Sequence, residues 1–78
     1  MEAIEVTAHF DENGNITPLH FNWKGGAYQV ESTGRHWQDV EGWHILVMVA
    51  GDKLYELIYR TTQARWFIKQ PGPTRKFV

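Results

Sequence analysis

The side chains best equipped for chemistry in this 78-residue chain are four histidines, one serine, nine carboxylates and eight cations, with no cysteine. The histidines are His9, His20, His36 and His44. None forms a His-x-x-x-His pair, and no carboxylate accompanies them at ligand spacing, so neither a metal nor another cofactor is expected. Solvent-exposed strand positions explain them better, although His36 and His44 could face each other across Glu41-Gly42. A hydrolytic centre would need Ser32, His36 and Asp39 gathered by a bent strand, and their spacing matches no nucleophile arrangement. Glu56 lies between Tyr55 and Leu57, and it reads as a rim residue paired with a base. Gly25-Gly26 sits between two extended runs, so it makes a turn and not a phosphate cradle, which needs a helix N-terminus. No catalytic residue is expected.

The cations carry more information. Residues 60–78 hold five bases (Arg60, Arg65, Lys69, Arg75 and Lys76) and no acid, whereas residues 1–31 hold five acids and one base. Trp66 and Phe67 lie among those bases. Small β domains bind single-stranded nucleic acid by stacking bases on rings while cations follow the backbone. Arg60, Arg65, Trp66, Lys69, Arg75 and Lys76 are therefore the candidate nucleic-acid-binding residues. The formal net charge of −1 argues the other way, because nucleic-acid binders usually carry a clear excess of Lys and Arg. A second outcome is that the basic last strand lies beside the acidic first one and the charges neutralise locally.

The elements that must position these residues are strands. Residues 4–10 alternate, with Ile4, Val6, Ala8 and Phe10 on one face and Glu5, Thr7 and His9 on the other. Asn13-Gly14 is the strongest short hairpin signal. Residues 16–23 follow, with Leu19, Phe21 and Trp23 sharing a face, and Pro18 marks an edge or a bulge. Lys24-Gly25-Gly26 is a tight turn. A strand starting at Ala27, with Tyr28 and Val30 inward, is interrupted at Ser32-Thr33-Gly34 and continues, bent, through Arg35–Val40. Trp43–Ala50 is apolar on both faces, so it is central or meets a partner, and Leu46 and Met48 are the candidate partner-facing residues. Gly51-Asp52 turns the chain into Leu54–Arg60. Arg65–Lys69 is the last strand, stopped by Pro71-Gly72-Pro73. No window has a helical period.

Composition bounds the rest. Seventy-eight residues make one domain, here 1–70, with 71–78 a basic tail led by Pro and Gly. Four Trp, three Tyr and four Phe supply the large rings that a short chain needs to fill a core without disulfides. No apolar run approaches the ~20 residues of a membrane span. The acidic, alternating start lacks the basic and apolar regions of a signal peptide, and the absence of cysteine suits a reducing compartment, so a cytoplasmic location is expected.

The order Asp11-x-x-Gly14, Pro18-x-x-Phe21-x-Trp23-x-Gly25-x-x-Tyr28-x-Val30, Trp37, Gly42-Trp43, Tyr55-Glu56-Leu57 and Arg65-Trp66 resembles a family of small bacterial domains of unknown function. The resemblance spans most of residues 4–69. It implies proximity to polymerase-like DNA-damage-tolerance proteins of the Y family, and hence a DNA-repair setting. It brings no catalytic residue with it. The chain departs from that family's more arginine-rich pattern, since Lys24 is its only base before residue 35.

The resulting expectation is an all-β fold: a small antiparallel barrel or strongly bent sheet of about six strands, SH3-like or similar, with meander connections. The expected function is a non-enzymatic binding module associated with single-stranded nucleic acid or a DNA-repair protein. The alternative is a homo-oligomeric domain, such as a homodimer, or an adaptor domain, binding protein through sheet edges and the apolar face of Trp43–Ala50, at Leu46 and Met48.

Overall fold

The computed structural model describes residues 1–69. It is all-β, as the alternation predicts. The strands are β1 (Glu2–Phe10), β2 (Ile16–Trp23), β3 (Gly26–Gln29), β4 (Ser32–Asp39), β5 (Gly42–Val49), β6 (Lys53–Arg60) and β7 (Arg65–Lys69). They form one curled antiparallel sheet in the order β3-β2-β1-β7-β6-β5-β4. Two meanders, β1–β3 and β4–β7, are joined where the first strand lies beside the last (Glu2↔Ile68, Ala3↔Phe67, Ile4↔Trp66). Among the described residues no helix is long and apolar enough to cross a membrane.

The seven strands agree with the expected strongly bent sheet of about six, the interrupted ribbon at 27–40 counting as two, β3 and β4. Val30 N–H donates to the Leu19 carbonyl on β2 at 2.9 Å, and the next residue, Glu31, donates to the Met48 carbonyl on β5 at 2.8 Å. The chain between β3 and β4 thereby ties the two ends of the sheet together and curls it. Curling hides one face and limits exposed edges, which a flat sheet of this size would leave open.

The inner face holds Phe21, Ile45, Val47, Val49, Tyr55, Leu57, Trp66 and Ile68. Its rings interlock: Phe21 stacks on Tyr28 with centroids 5.1 Å apart, Trp23 meets Tyr55 edge-on at 5.3 Å, and Tyr59 packs on Trp66 at 5.0 Å. Such pairs add about 0.5–1.5 kcal/mol each beyond the area they bury.

One local expectation is overturned. Leu19 does not share the inner face with Phe21. The register slips between Thr7 and Ala8, so that Ala8 faces Pro18 while Thr7 faces His20. Leu19 is the extra residue of that bulge and stays exposed, and Pro18 is buried instead. The first hairpin falls where Asn13-Gly14 marks it. Phe10 pairs with Ile16 across five residues, and Gly14 alone of this loop has a left-handed φ (86°). Asp11 organises the loop by accepting from the backbone N–H of Asn13 (2.9 Å) and Asn15 (2.8 Å).

Candidate functional site

Alternation along β4–β7 leaves a second, outer face whose residues align strand to strand. Trp37 is the Cα partner of His44, His44 of Ile58, and Ile58 of Phe67. The row spans three strand spacings, about 14 Å. Ile58 is buried although it lies outside the inner cluster, because its neighbours on this face cover it.

At one end of the row stand the cations. Trp66 and Ile68 point inward, so Arg65, Phe67 and Lys69 point outward. Arg60 and Arg65 are Cα partners at the β6–β7 turn. Both guanidinium groups lie over the Phe67 ring, at 5.0 and 5.5 Å from its centroid. Among the described residues no carboxylate forms an ion pair with Arg60, Arg65 or Lys69. The Nε of Arg60 is buried without a hydrogen-bond partner. Among the described residues no ion pair joins β1 to β7. Glu2 accepts from the Trp23 indole N–H (3.1 Å), and Glu5 accepts from the Asn22 amide (2.9 Å).

Of the six sequence candidates for nucleic-acid contact, Arg60, Arg65 and Lys69 share this face. Trp66 does not. It is 8% exposed and belongs to the core, because strand alternation places it opposite Arg65 and Phe67. The ring beside the cations is Phe67. Arg75 and Lys76 lie outside the described residues, as does the 71–78 tail. Leu46 and Met48 are half-buried on the outer face, and Met48 is paired with the exposed Leu54.

At the other end stands a histidine that the sequence reading misplaced. His44 is not a solvent-exposed strand residue. It is 3% exposed, with its ring stacked on Trp37 (centroids 4.9 Å apart, planes 9° apart). Its Nδ1 lies 2.6 Å from Glu56 Oε2 and its Nε2 lies 2.8 Å from Asp39 Oδ1. Glu41 Oε1 approaches the same Nε2 at 3.8 Å. Burial of the ring pushes its pKa down, but the hydrogen bonds and charges of Glu56 and Asp39 outweigh this and raise it above the ordinary 6.5. The His44 hydrogen bond, helped by the Glu41 N–H, holds the Asp39 carboxyl below its ordinary range.

The expected juxtaposition of His36 with His44 is absent. The two-residue turn pairs Asp39 with Gly42, which sets Trp37 opposite His44 and sends His36 to the other face opposite Ile45. A one-residue change of register exchanges faces. Ser32, His36 and Asp39 are therefore not assembled; Ser32 pairs with Met48, four residues along β5 from His44. Glu56 is paired with a base, as its apolar flanks suggested, and that base is His44.

A hollow of about 180 Å³ opens on the inner side between β2 and β4, lined by Ile16, Thr33, His36 and Trp43 among others. It falls short of the ~300–1,000 Å³ usual for a small-molecule site. Comparison of the chain with protein-family models, with curated proteins and with solved structures finds no match in any of the three.

Proposed function

We propose that this protein is a binding module, without catalytic chemistry of its own, whose outer face at Arg60, Arg65, Phe67 and Lys69 takes single-stranded nucleic acid. One observation carries the reading: Arg60 and Arg65 are held directly opposite each other over a single ring, with no carboxylate among the described residues to quench them. Like charges paired across strands destabilise a sheet. A phosphate between them removes that repulsion through charge-assisted hydrogen bonds. Guanidinium planes and aromatic rings are also the surfaces on which unpaired bases stack, worth roughly 1–3 kcal/mol per base. The DNA-repair setting follows from the family resemblance in residues 4–69 alone.

Fluorescence anisotropy of a labelled single-stranded oligonucleotide at two salt concentrations tests this. Binding should weaken steeply with salt and fall further in the Arg60→Ala, Arg65→Ala double variant. Equal binding by that variant, or no binding at low salt, rejects the reading.

A second reading has its own observation. Leu46, Met48 and Leu54 form an apolar patch on the outer face beside β4, an end strand of the sheet, which suits a second copy of the chain. Sedimentation equilibrium at micromolar concentration would show a dimer that Met48→Lys dissociates; a strict monomer removes this reading.

A further inference from the structure

Three carboxylates surround one imidazole at the β4–β5 turn, and a single ring proton on Nε2 cannot satisfy both groups that face it. Asp39 Oδ1 takes that proton at 2.8 Å, while Glu41 Oε1 waits 3.8 Å away with no hydrogen of its own among the described groups. Even with His44 protonated, Asp39, Glu41 and Glu56 leave this cluster with an excess of negative charge. One donor atom each from Asp39, Glu41 and His44 fall within 4.8 Å of one another. In a tetrahedral centre with bonds of about 2.1 Å, donor atoms stand roughly 3.4 Å apart. The observed 2.8 and 3.8 Å lie on either side of that value. The adjustment falls on Asp39 and Glu41, whose side chains are exposed at 45% and 43% and free to shift, while His44 is held by stacking and burial.

The fourth group fits the same reading. Glu56 Oε2 at 2.6 Å accepts the Nδ1 proton and leaves Nε2 as the ring atom directed at Asp39 and Glu41. A carboxylate on the far nitrogen is the arrangement that fixes the tautomer and orientation of metal-bound histidines. We propose that Asp39, Glu41 and His44 form a binding site for a divalent metal ion of the zinc class, with Glu56 as the positioning residue behind His44. The ion replaces the Nε2 proton, which leaves to solvent, so Asp39 and Glu41 are joined through the metal rather than competing for one hydrogen. Three protein ligands leave a fourth position for water or an incoming group. Mixed nitrogen and oxygen donors favour zinc, cobalt or nickel over magnesium and calcium, which prefer oxygen alone.

The test uses the full-length chain without an affinity tag, stripped with chelator and titrated with Zn²⁺ by calorimetry and with Co²⁺ by visible absorption. One equivalent should bind, and Co²⁺ should show the intense bands of four-coordination. Glu41→Gln, at an exposed position that leaves the turn intact, should weaken Zn²⁺ binding about tenfold or more, and Glu56→Gln roughly 10–100-fold. His44→Gln should abolish it. Asp39→Asn, which keeps the oxygen that holds the turn, is the control against misfolding and should also lose affinity. No saturable uptake of either ion, uptake unchanged in Glu41→Gln and Asp39→Asn, or uptake retained by His44→Gln overturns the proposal.

Discussion

Trp37 and His44 face each other across the β4–β5 hairpin, their rings parallel to within 9° at 4.9 Å. This stack seals an imidazole whose two nitrogens are both engaged by carboxylates. The buried polar group is fully partnered, so its contribution depends on keeping every partner.

Removing Glu56 leaves His44 Nδ1 without its acceptor in a site closed to water. Glu56→Ala should cost about 2–3 kcal/mol, less than the ~3–5 of a fully buried pair because Asp39 still holds the other nitrogen. Glu56→Gln, which keeps a neutral acceptor, should cost about 1 kcal/mol. Urea denaturation in chelator reads both. Equal stability of Glu56→Ala and wild type would show that the 2.6 Å contact contributes nothing.

The same network sets a pH window. His44 has a raised pKa in the folded chain, so its contribution is complete below its ordinary 6.5 and is lost as pH rises through the raised value. Asp39 has a lowered one, so its contribution is complete above its ordinary 3.8 and is lost as pH falls through the lowered value. Thermal midpoints measured in chelator should therefore plateau between about pH 4 and 6.5 and decline on both sides. Asp39→Asn should flatten the decline at both ends. A midpoint that climbs steadily past pH 7 contradicts the assignment.

Gly42 is fixed by its backbone. Its φ is 138°, and a Cβ there would overlap the carbonyl oxygen of Tyr59 on β6. Gly42→Ala should cost more than about 3 kcal/mol, in the range of strained or overpacked positions, and shift the Asp39–His44 register with it. Far-ultraviolet dichroism and melting would reveal this, and a native-like melt would refute it. By contrast Gly34, where an added Cβ meets only Leu46 Cβ at 3.9 Å, should accept alanine without steric cost.

Arg65→Glu separates stability from binding. It places an acid directly opposite Arg60, turning a like-charge pair into an opposite-charge one. The fold should gain about 0.2–1 kcal/mol, while oligonucleotide affinity falls. A variant that is both less stable and equally able to bind would show that the two arginines are not a poised anion site.

Much of this architecture was legible in residue order. Alternation gave the strands, the Lys24-Gly25 turn marked a hairpin, and the apolar run from Trp43 announced a strand covered on both faces. Glu56, an acid between apolar neighbours, pointed to a partnered base. The inner placement of Trp66 followed from period two once Arg65 was set outward, yet sequence proximity to the cations suggested the reverse.

Residue order alone therefore carried the all-β class, the approximate strand boundaries and the set of cations late in the chain. Which residues share a face came from packing and pairing across the folded sheet. Bulges at Leu19 and between Thr33 and His36 each insert one residue, and each reverses the inward and outward assignment beyond it. The register of the Asp39–Gly42 turn, set by backbone packing against Tyr59, brought His44 and not His36 to Asp39, and the β5–β6 pairing then delivered Glu56 to the same ring. Those are long-range steric choices, and no local pattern of residue types encodes them.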